Sequence, residues 1–130
     1  MFNILFVDDN PDFKVDYIID TLNNMDIEFK YHIEKSVNSA LRYIRSNVKD
    51  IDLSIIDLGL PLLGDGTSYN EINGLDIVRH LCKWNPDANI IINSSTDVPP
   101  SHDFLFKKGY KIVHVDHVNQ ELLEHFLKKD

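Results

Sequence analysis

The sequence predicts an α/β fold in which helices cover both faces of a parallel sheet. Short apolar runs alternate along the chain with segments in which apolar residues recur at helical spacing, a pattern typical of parallel sheets. Residues 3–7 and 53–56 are nearly unbroken apolar runs, as expected for strands that are buried on both faces. Asp8 and Asp9 directly follow the first run and Asp57 follows the second. Because open α/β sheets place functional groups just beyond the carboxyl ends of their strands, these acids are candidate functional residues.

The composition is that of one globular domain spanning residues 1–130. Hydrophobic residues make up 43% of the chain and charged residues 26%, with a formal net charge of −8. Because nucleic acid is bound by clustered Lys and Arg, this charge argues against a nucleic-acid partner. No apolar segment approaches the roughly 20 residues that span a bilayer, so no membrane partner is expected. A single cysteine, Cys82, and a chain that enters its first strand without a leader predict a cytoplasmic location.

The first half of the chain is predicted to form two strands and two helices. After the first strand, Pro11 can occupy the first position of a helix whose apolar residues recur to about Asn24. Residues 27–33 alternate between apolar and polar side chains, which predicts a half-exposed edge strand. Ser36 is positioned to cap the second helix. The buried stripe of that helix is Val37, Ala40, Leu41, Ile44 and Val48.

The second half is predicted to contain three more strands and three more helices. The strands are residues 53–57, 89–94 and 112–115, and a helix from about Gly74 to Trp84 lies between the first two. A short, weakly patterned helix is expected from residue 100 or 101 to Lys108, with Gly109 as its stop. The stripe of the last helix is Val118, Leu122, Leu123, Phe126 and Leu127. The prediction is therefore five strands and five helices.

Three carboxylates are predicted to meet at one edge of this sheet. If the two apolar runs are neighbouring parallel strands, Asp8, Asp9 and Asp57 crowd together. Two such charges at 4 Å repel by roughly 4 kcal/mol at an effective dielectric near 20, and a divalent cation is the usual compensation. One acid after a strand often only caps a helix, but three at matching positions disfavour that interpretation. Hydroxyls at residues 94–96 are expected at the same edge.

These residues give the chain a resemblance to the receiver domain of two-component response regulators, over residues 4–127. Family members carry paired acids after the first strand, matched by Asp8 and Asp9, and a phosphoaccepting aspartate after the third, matched by Asp57 in Asp-Leu-Gly-Leu-Pro. A Gly-Leu pair that opens the third helix is matched at Gly74, and a Ser or Thr after the fourth strand is matched by Ser94. The resemblance implies a flavodoxin-like (βα)5 fold, a doubly wound parallel sheet with strand order 2-1-3-4-5.

The resemblance also implies a mechanism. Mg²⁺ would be held by Asp9, Asp57, the carbonyl of Gly59 and, through water, Asp8. Asp57 would accept a phosphoryl group from the phosphohistidine of a histidine kinase or phosphotransfer protein, and Ser94 would hydrogen-bond the phosphoryl oxygens. The phosphate adds about 1.5 to 2 negative charges, which would change the docking of a downstream protein whose identity the sequence does not give. Such a domain is not expected to be an enzyme.

The end of the fifth strand departs from the family pattern. Receivers carry a Lys there, usually followed by Pro, whereas counting places Asp116 and His117 at these positions. A charge-assisted hydrogen bond is worth roughly 1.5 to 3 kcal/mol, so its loss is expected to weaken the phosphorylated state. Lys111 lies at the opposite end of the strand and does not substitute. The aromatic residue that many receivers carry in this strand is also missing, since its place falls on Val113 or His114.

The connection before the third helix is a second departure. Residues 62–73 stand where the family has only a few residues, and they are expected to hang over the metal site. One interpretation is a lid that controls phosphoryl access or hydrolysis, or a loop that recognises a partner. The other is a tolerated surface insertion, because longer loops cost little entropy. The sequence favours neither.

Three functional hypotheses follow. The leading one is a stand-alone phosphoaccepting receiver, because the chain ends soon after its last helix. The alternative is a degenerate receiver, or pseudo-receiver, that binds proteins independently of phosphorylation, as Asp116 and the long loop suggest. The third is an unrelated Mg²⁺-dependent enzyme such as a phosphatase, although no Walker-type phosphate loop is present. A transition-metal site at His114, Asp116 and His117 is a further, weak possibility because it lacks a fourth ligand.

Overall fold

The structure is a computed structural model that describes residues 1–127, so the last three residues of the predicted domain lie outside it. One five-stranded parallel sheet has the order β2-β1-β3-β4-β5, which confirms the predicted strand order. The strands are β1 (Phe2–Val7), β2 (Phe29–Glu34), β3 (Leu53–Ile56), β4 (Asn89–Asn93) and β5 (Lys111–Val115). β2 lies at one edge and pairs with β1, as the alternating pattern of its sequence predicts.

Helices pack on both faces of the sheet, so the sheet is doubly wound. The α-helices are α1 (Lys14–Asn23), α2 (Val37–Asn47), α3 (Gly74–Trp84) and α4 (Gln120–Leu127). In β1, Leu5 and Val7 belong to the core cluster formed with α2 and α3, whereas Ile4 and Phe6 belong to the cluster formed with α1 and α4. Successive side chains of a strand face opposite sides. This explains why the central strands are apolar at nearly every position.

The predicted short fourth helix is present as a 3₁₀ helix, Pro100–Phe106. The α-helices of residues 1–127 therefore number four. Only Leu105 of this segment is buried, and its N-cap residue, Pro99, makes no side-chain capping hydrogen bond. Short helices owe their stability to the packing of an apolar stripe, and one buried residue does not provide one. Gly109 follows with φ of +78°, the left-handed conformation expected of a stop residue.

The first helix begins three residues later than predicted. It starts at Lys14, because Pro11 and its neighbours form a turn instead of the first helical positions. The Asp8 side chain organises this turn by accepting the N–H of Asn10 at 2.9 Å, a local bond that competes with helix formation. The later start makes Lys14 the first helical residue. Side chains in a helix tilt toward its N-terminus, so Lys14 is directed back to the sheet edge.

The other helices lie where they are predicted, but Val48 and Val118, which belong to the predicted stripes of the second and last helices, lie just outside α2 and α4. The Ser36 Oγ accepts the N–H of Ser39 at 3.3 Å and caps α2, and α3 has the predicted bounds. In residues 1–127, no helix has both the length and the apolar character that a bilayer span requires.

Candidate metal and phosphoryl site

The three predicted acids meet at the carboxyl edge of the sheet. The register pairs Val7 with Ile56, and the N–H of Asp57 extends the ladder to the Val7 carbonyl at 2.9 Å. Asp8, Asp9 and Asp57 each offer a carboxylate oxygen, and these oxygens lie within 4.8 Å of one another. Within residues 1–127 this is the only group of three or more acids, histidines or cysteines with metal-ligand spacing.

Asp8 is the most deeply buried member of this acidic cluster. Its relative exposure is 4%, whereas Asp57 is half-buried and Asp9 is exposed. The pKa of Asp8 is raised to about 6, chiefly by burial and also by the charges of Asp57 and Asp9, while the Asn10 N–H and Lys14 oppose the rise. The cluster therefore holds more negative charge than its surroundings compensate, which is a condition that favours a bound cation.

The donor set fits Mg²⁺. An octahedral Mg²⁺ binds oxygens at about 2.1 Å, so ligands on opposite sides of the ion lie about 4 Å apart. The observed limit of 4.8 Å requires only a small adjustment of side chains. All the donors are carboxylate oxygens, which suit a hard cation. The backbone N–H of Gly59 donates to Asp57 Oδ1 at 3.4 Å, and the role of the Gly59 carbonyl as a ligand stays a prediction.

Gly74 allows α3 to approach Asp57 closely. Its N–H donates to the Leu58 carbonyl at 2.8 Å. A Cβ atom at this position would overlap the Asp57 carbonyl oxygen and lie 2.8 Å from the Leu58 Cα. The backbone at Asp57 is thus held from one side by β1 and from the other by the start of α3. This is the physical reason for a glycine at the start of this helix.

Ser94 lies at the same edge, immediately after β4. It is buried, its N–H donates to the Val115 carbonyl at 3.0 Å, and its Oγ accepts the N–H of Thr96 at 3.1 Å. The register pairs Ile56 with Ile92, which places Ser94 one residue beyond the level of Asp57 on the neighbouring strand. The structure therefore brings Ser94 to the predicted edge. Its hydrogen bond to a phosphoryl group stays a prediction.

Lys14 is a site residue that the sequence analysis missed. Its Nζ lies 3.2 Å from Asp57 Oδ2 and donates to the Asn93 carbonyl at 2.9 Å. One signal in the sequence could have found it. A cation in the first turn of a helix is disfavoured by the helix dipole, so a lysine there indicates a carboxylate partner nearby.

The end of β5 carries a negative charge at Asp116, as the sequence predicts. Asn93 pairs with Val115, so Asp116 lies level with Ser94, and the Asp116 side chain is exposed. The ring of His114 donates from Nε2 to the Ser94 carbonyl at 2.9 Å. His114, Asp116 and His117 do not form a metal-ligating group in the described part of the chain. The alternative transition-metal site is therefore wrong.

The loop of residues 62–73 is ordered by its own hydrogen bonds. Leu60 and Asn70 form an antiparallel bridge, and the Asn73 side chain donates to the Leu60 carbonyl at 2.7 Å. At the base of the loop, the Pro61 and Leu62 carbonyls accept the N–H groups of residues 37 and 38 at 3.0 Å. The loop thus satisfies two backbone donors that the first turn of α2 leaves unpaired.

Tyr69 is the residue of this loop that lies beside the acidic cluster. A Cβ built on Gly59 would overlap the Tyr69 hydroxyl and lie 3.2 Å from its Cζ, so the phenol ring lies against Gly59. Partial burial raises the pKa of Tyr69, and the charges of Asp9 and Asp57 add to the rise. The loop therefore reaches the site, as expected. The structure is compatible with both the lid and the insertion, so that alternative stays open.

Solved structures similar to this chain are receiver domains of response regulators. A phosphorylated cyanobacterial phytochrome response regulator, RcpA, has a TM-score of 0.72 and 17% identity, over 98% of this chain and 94% of that chain. A response regulator from Burkholderia pseudomallei, with a phosphorylated aspartic acid, calcium and citrate, has a TM-score of 0.67 and 20% identity, over 99% and 68%. The CheX-CheY complex of Borrelia burgdorferi with beryllofluoride and magnesium has a TM-score of 0.65 and 16% identity, over 97% and 86%.

These comparisons establish the fold. The chain has the flavodoxin-like (βα)5 fold of receiver domains, with an acidic cluster at the carboxyl edge of its sheet. No protein-family model and no curated protein matches the sequence. Function must therefore be argued from the site itself.

Proposed function

We propose that the chain is a phosphoaccepting receiver of two-component signal transduction. Asp57 accepts a phosphoryl group from a histidine kinase or phosphotransfer protein in a Mg²⁺-dependent reaction, and the phosphorylated domain signals by docking to another protein. The observation that carries this proposal is the meeting of Asp8, Asp9 and Asp57, with oxygens within 4.8 Å, at the carboxyl edge of this fold.

The residues of the chain can perform this transfer without a conventional enzyme pocket. The Asp57 carboxylate attacks phosphorus, an O–P bond forms, the P–N bond of the phosphohistidine breaks, and its electron pair returns to the imidazole nitrogen. Bound Mg²⁺ supplies the charge that offsets the phosphoryl oxygens. Asp8 and Asp9 would hold the metal, while β1 and Gly74 fix the backbone of Asp57. Positioning and charge compensation account for most catalysis of such transfers.

The structural neighbours support the same assignment. One is phosphorylated, one carries a phosphorylated aspartic acid with calcium, and one is bound to magnesium, beryllofluoride and the protein CheX. Carried over to this chain, these features correspond to a phosphoryl group on Asp57, a divalent cation at the acidic cluster and a protein partner. Magnesium is the cation that we propose, because three carboxylates provide only oxygen ligands.

We further propose that the domain acts in the cytoplasm and turns over no external substrate. Its single cysteine, Cys82, is buried, and burial raises the pKa of the thiol to about 11, so it is a packing residue rather than a reactive thiol. A net charge of −8 also disfavours nucleic acid as a partner.

The alternative function is a pseudo-receiver that binds proteins independently of phosphorylation. Two observations favour it. Asp116 places a negative charge at the end of β5, where it repels an added phosphate. Tyr69 also lies against Gly59, beside the acids that would receive the phosphoryl group. Either feature could lower the phosphorylated population while leaving the metal site intact.

The test is an amide NMR titration with Mg²⁺ and then beryllofluoride, a mimic of the aspartyl phosphate. We expect shifts at Asp9, Asp57 and Ser94 that spread along β4 and into the 3₁₀ segment. Asp57→Asn should abolish the beryllofluoride response. Asp20→Asn is the matched control, because Asp20 is an exposed acid of α1 whose carboxylate forms no ion pair within residues 1–127.

Each outcome separates the two candidate functions. Shifts that vanish in Asp57→Asn and persist in Asp20→Asn support the phosphoaccepting receiver. A response to Mg²⁺ without a response to beryllofluoride supports the pseudo-receiver. Phosphorylation of Asp57 by acetyl phosphate, detected as a mass increase that Asp57→Asn lacks, would provide an independent measurement.

A further inference from the structure

We propose that Lys14 supplies the cation that the end of β5 lacks, so that the first turn of α1 stabilises the phosphoryl group on Asp57. This inference rests on the proposed function, because it assigns a residue to the same phosphoryl site. It concerns a residue that lies outside the motifs that carry the resemblance to receivers.

The geometry places the ammonium of Lys14 against the acceptor. Its Nζ lies 3.2 Å from Asp57 Oδ2 and 2.9 Å from the Asn93 carbonyl oxygen. Within residues 1–127, no other lysine or arginine forms an ion pair with a member of the acidic cluster. The side chain of Lys14 is 37% exposed, so the charge is only partly screened by water. Lys14 is thus the cation that an incoming phosphoryl group would meet.

The position of Lys14 in α1 indicates that the site, rather than the helix, stabilises this charge. Lys14 is the first residue of α1, where the helix dipole disfavours a cation. Asp57 is the acid with which Lys14 forms an ion pair, and the charge of Lys14 also lowers the pKa of Asp8. The ion pair with Asp57 offsets the unfavourable dipole and holds the side chain toward the sheet edge. A lysine placed only for helix stability would lie in the last turn instead.

The ammonium has capacity left for a phosphoryl oxygen. It has more N–H donors than its two observed partners use. Lys14 and Asn93 also line one cavity of about 310 Å³, and the Oδ1 of Asn93 is buried without a hydrogen-bond partner. The Oδ1 of Asn93 is therefore a further unpaired acceptor on the residue whose carbonyl already accepts from Lys14. Two acceptors on one residue of β4 keep the charge at the site.

The end of β5 does not provide this charge. Asp116 lines the same cavity as Lys14, but its own charge is negative. Lys111 is the first residue of β5, at the opposite end of the strand. The bond from Lys14 to the Asn93 carbonyl instead connects Asp57 to β4, one residue before Ser94. A phosphoryl group that attracts the Lys14 ammonium would therefore first disturb the hydrogen bond to Asn93, at the end of β4.

The experiment compares the binding of beryllofluoride, with Mg²⁺ saturating, among three lysine variants. Lys14→Met keeps the aliphatic stem and removes the charge, and Lys14→Arg keeps the charge. Lys49→Met is the control, because Lys49 is exposed and precedes β3 at the opposite edge of the sheet. The dissociation constant is measured by amide NMR or calorimetry, and Mg²⁺ affinity is measured separately. Circular dichroism confirms that each variant is folded.

We expect Lys14→Met to weaken beryllofluoride binding by about 10- to 100-fold, the range for a lost charge-assisted hydrogen bond. Mg²⁺ affinity should stay unchanged or rise, because a competing cation has been removed. A merely structural role would lower both affinities together. Lys14→Arg should retain most of the binding, and Lys49→Met should match the wild type.

The second part of the experiment moves the positive charge from α1 to the end of β5. In the double variant Lys14→Met with Asp116→Lys, a cation enters the same cavity from β5, so beryllofluoride affinity should recover by at least several-fold. Recovery supports the proposal, because it shows that the site requires the charge and not the backbone position.

The outcomes distinguish this inference from the proposed function. If the wild type binds beryllofluoride and Lys14→Met binds it equally well, Lys14 has no such role and the proposed function stands. If the wild type does not bind beryllofluoride and acetyl phosphate does not modify Asp57, both are overturned. A parallel loss of Mg²⁺ and beryllofluoride affinity in Lys14→Met also overturns the inference.

Discussion

The ends of β1 and β3 and the ends of β4 and β5 lie side by side at one edge of the sheet, yet they differ in charge and in burial. The first pair, which we call the acid half, carries Asp8, Asp9 and Asp57 around one point. The second pair, which we call the polar half, carries buried Asn93 and Ser94 and exposed Asp116. The acid half matches the receiver pattern, whereas the polar half lacks the cation of that pattern.

The difference follows from the reach of the side chains involved. An aspartate carboxylate lies close to its backbone, so three of them converge only if the strands are held in one register, as the pairing of β1 with β3 holds them. A lysine ammonium stands on a long flexible stem and can reach one point from several backbone positions. The charge of the polar half can therefore come from Lys14 of α1.

We expect a substitution at Gly74 to have the largest effect on the acid half. In Gly74→Ala the new methyl group overlaps the Asp57 carbonyl, so we expect the free energy of unfolding to fall by about 1 to 3 kcal/mol. Mg²⁺ affinity should fall too, because Asp57 is displaced. Urea unfolding with and without Mg²⁺ measures both. Gly64→Ala is the control, since its Cβ meets no atom within 4 Å, and equal effects of the two variants would contradict this account.

Removing the charge of Asp8 should stabilise the metal-free protein. Its pKa is about 6 in the folded state and 3.8 ordinarily, so the folded state binds more protons between these values. Stability therefore falls as the pH rises through this window, and the full penalty is present above about pH 6. Asp8→Asn should gain about 1 to 3 kcal/mol at pH 7 and little near pH 4. Urea unfolding at both pH values decides, and a gain that is independent of pH would exclude this cause.

Mg²⁺ affinity should depend on pH through the same residue. Because Asp8 must lose its proton to serve the metal, apparent affinity should be flat above about pH 6 and fall about tenfold per unit below it. Calorimetric titrations between pH 5 and pH 7.5, at roughly unit steps, would measure this. In Asp8→Asn this fall in Mg²⁺ affinity below about pH 6 should vanish, and part of the affinity itself should be lost. An unchanged fall in that variant would assign the titration to another group.

The smallest effect is expected from Asp116→Lys alone. With Lys14 present, a second cation in the same cavity adds only a little, so beryllofluoride affinity should rise by about two- to fivefold. The binding assay described for the Lys14 variants measures it. A gain above about tenfold would show that the polar half of the wild type lacks an effective cation. An unchanged affinity would mean that the end of β5 does not face the phosphoryl group.

Much of the fold was predictable because buried segments are recognisable in the sequence by the spacing of their apolar residues. The central strands are apolar at nearly every position, and α3 begins and ends where its spacing predicts. The acid half was predictable for the same reason, since its residues directly follow buried strands. The strand order came from the resemblance to receivers, and the pairing of the strands agrees with it.

The parts that the sequence did not predict depend on local hydrogen bonds and long side chains. The start of α1 at Lys14 depends on the bond between Asp8 and the Asn10 N–H, and the ion pair with Asp57 depends on that start. The 3₁₀ segment differs from an α-helix by the weak packing around Leu105. No periodicity in the sequence reports either feature.

The fastening of the long loop to α2 has a consequence for how this chain can change over evolutionary time. Its base, at Pro61 and Leu62, is bonded to the first turn of α2, whereas the tip at residues 63–70 is exposed. Mutations that lengthen or shorten the tip leave those two bonds intact, so selection can vary what lies above the acids without destabilising the domain. Loss of the base would also leave two N–H groups in the first turn of α2 without their hydrogen-bond acceptors. The insertion is therefore easy to diversify and hard to delete.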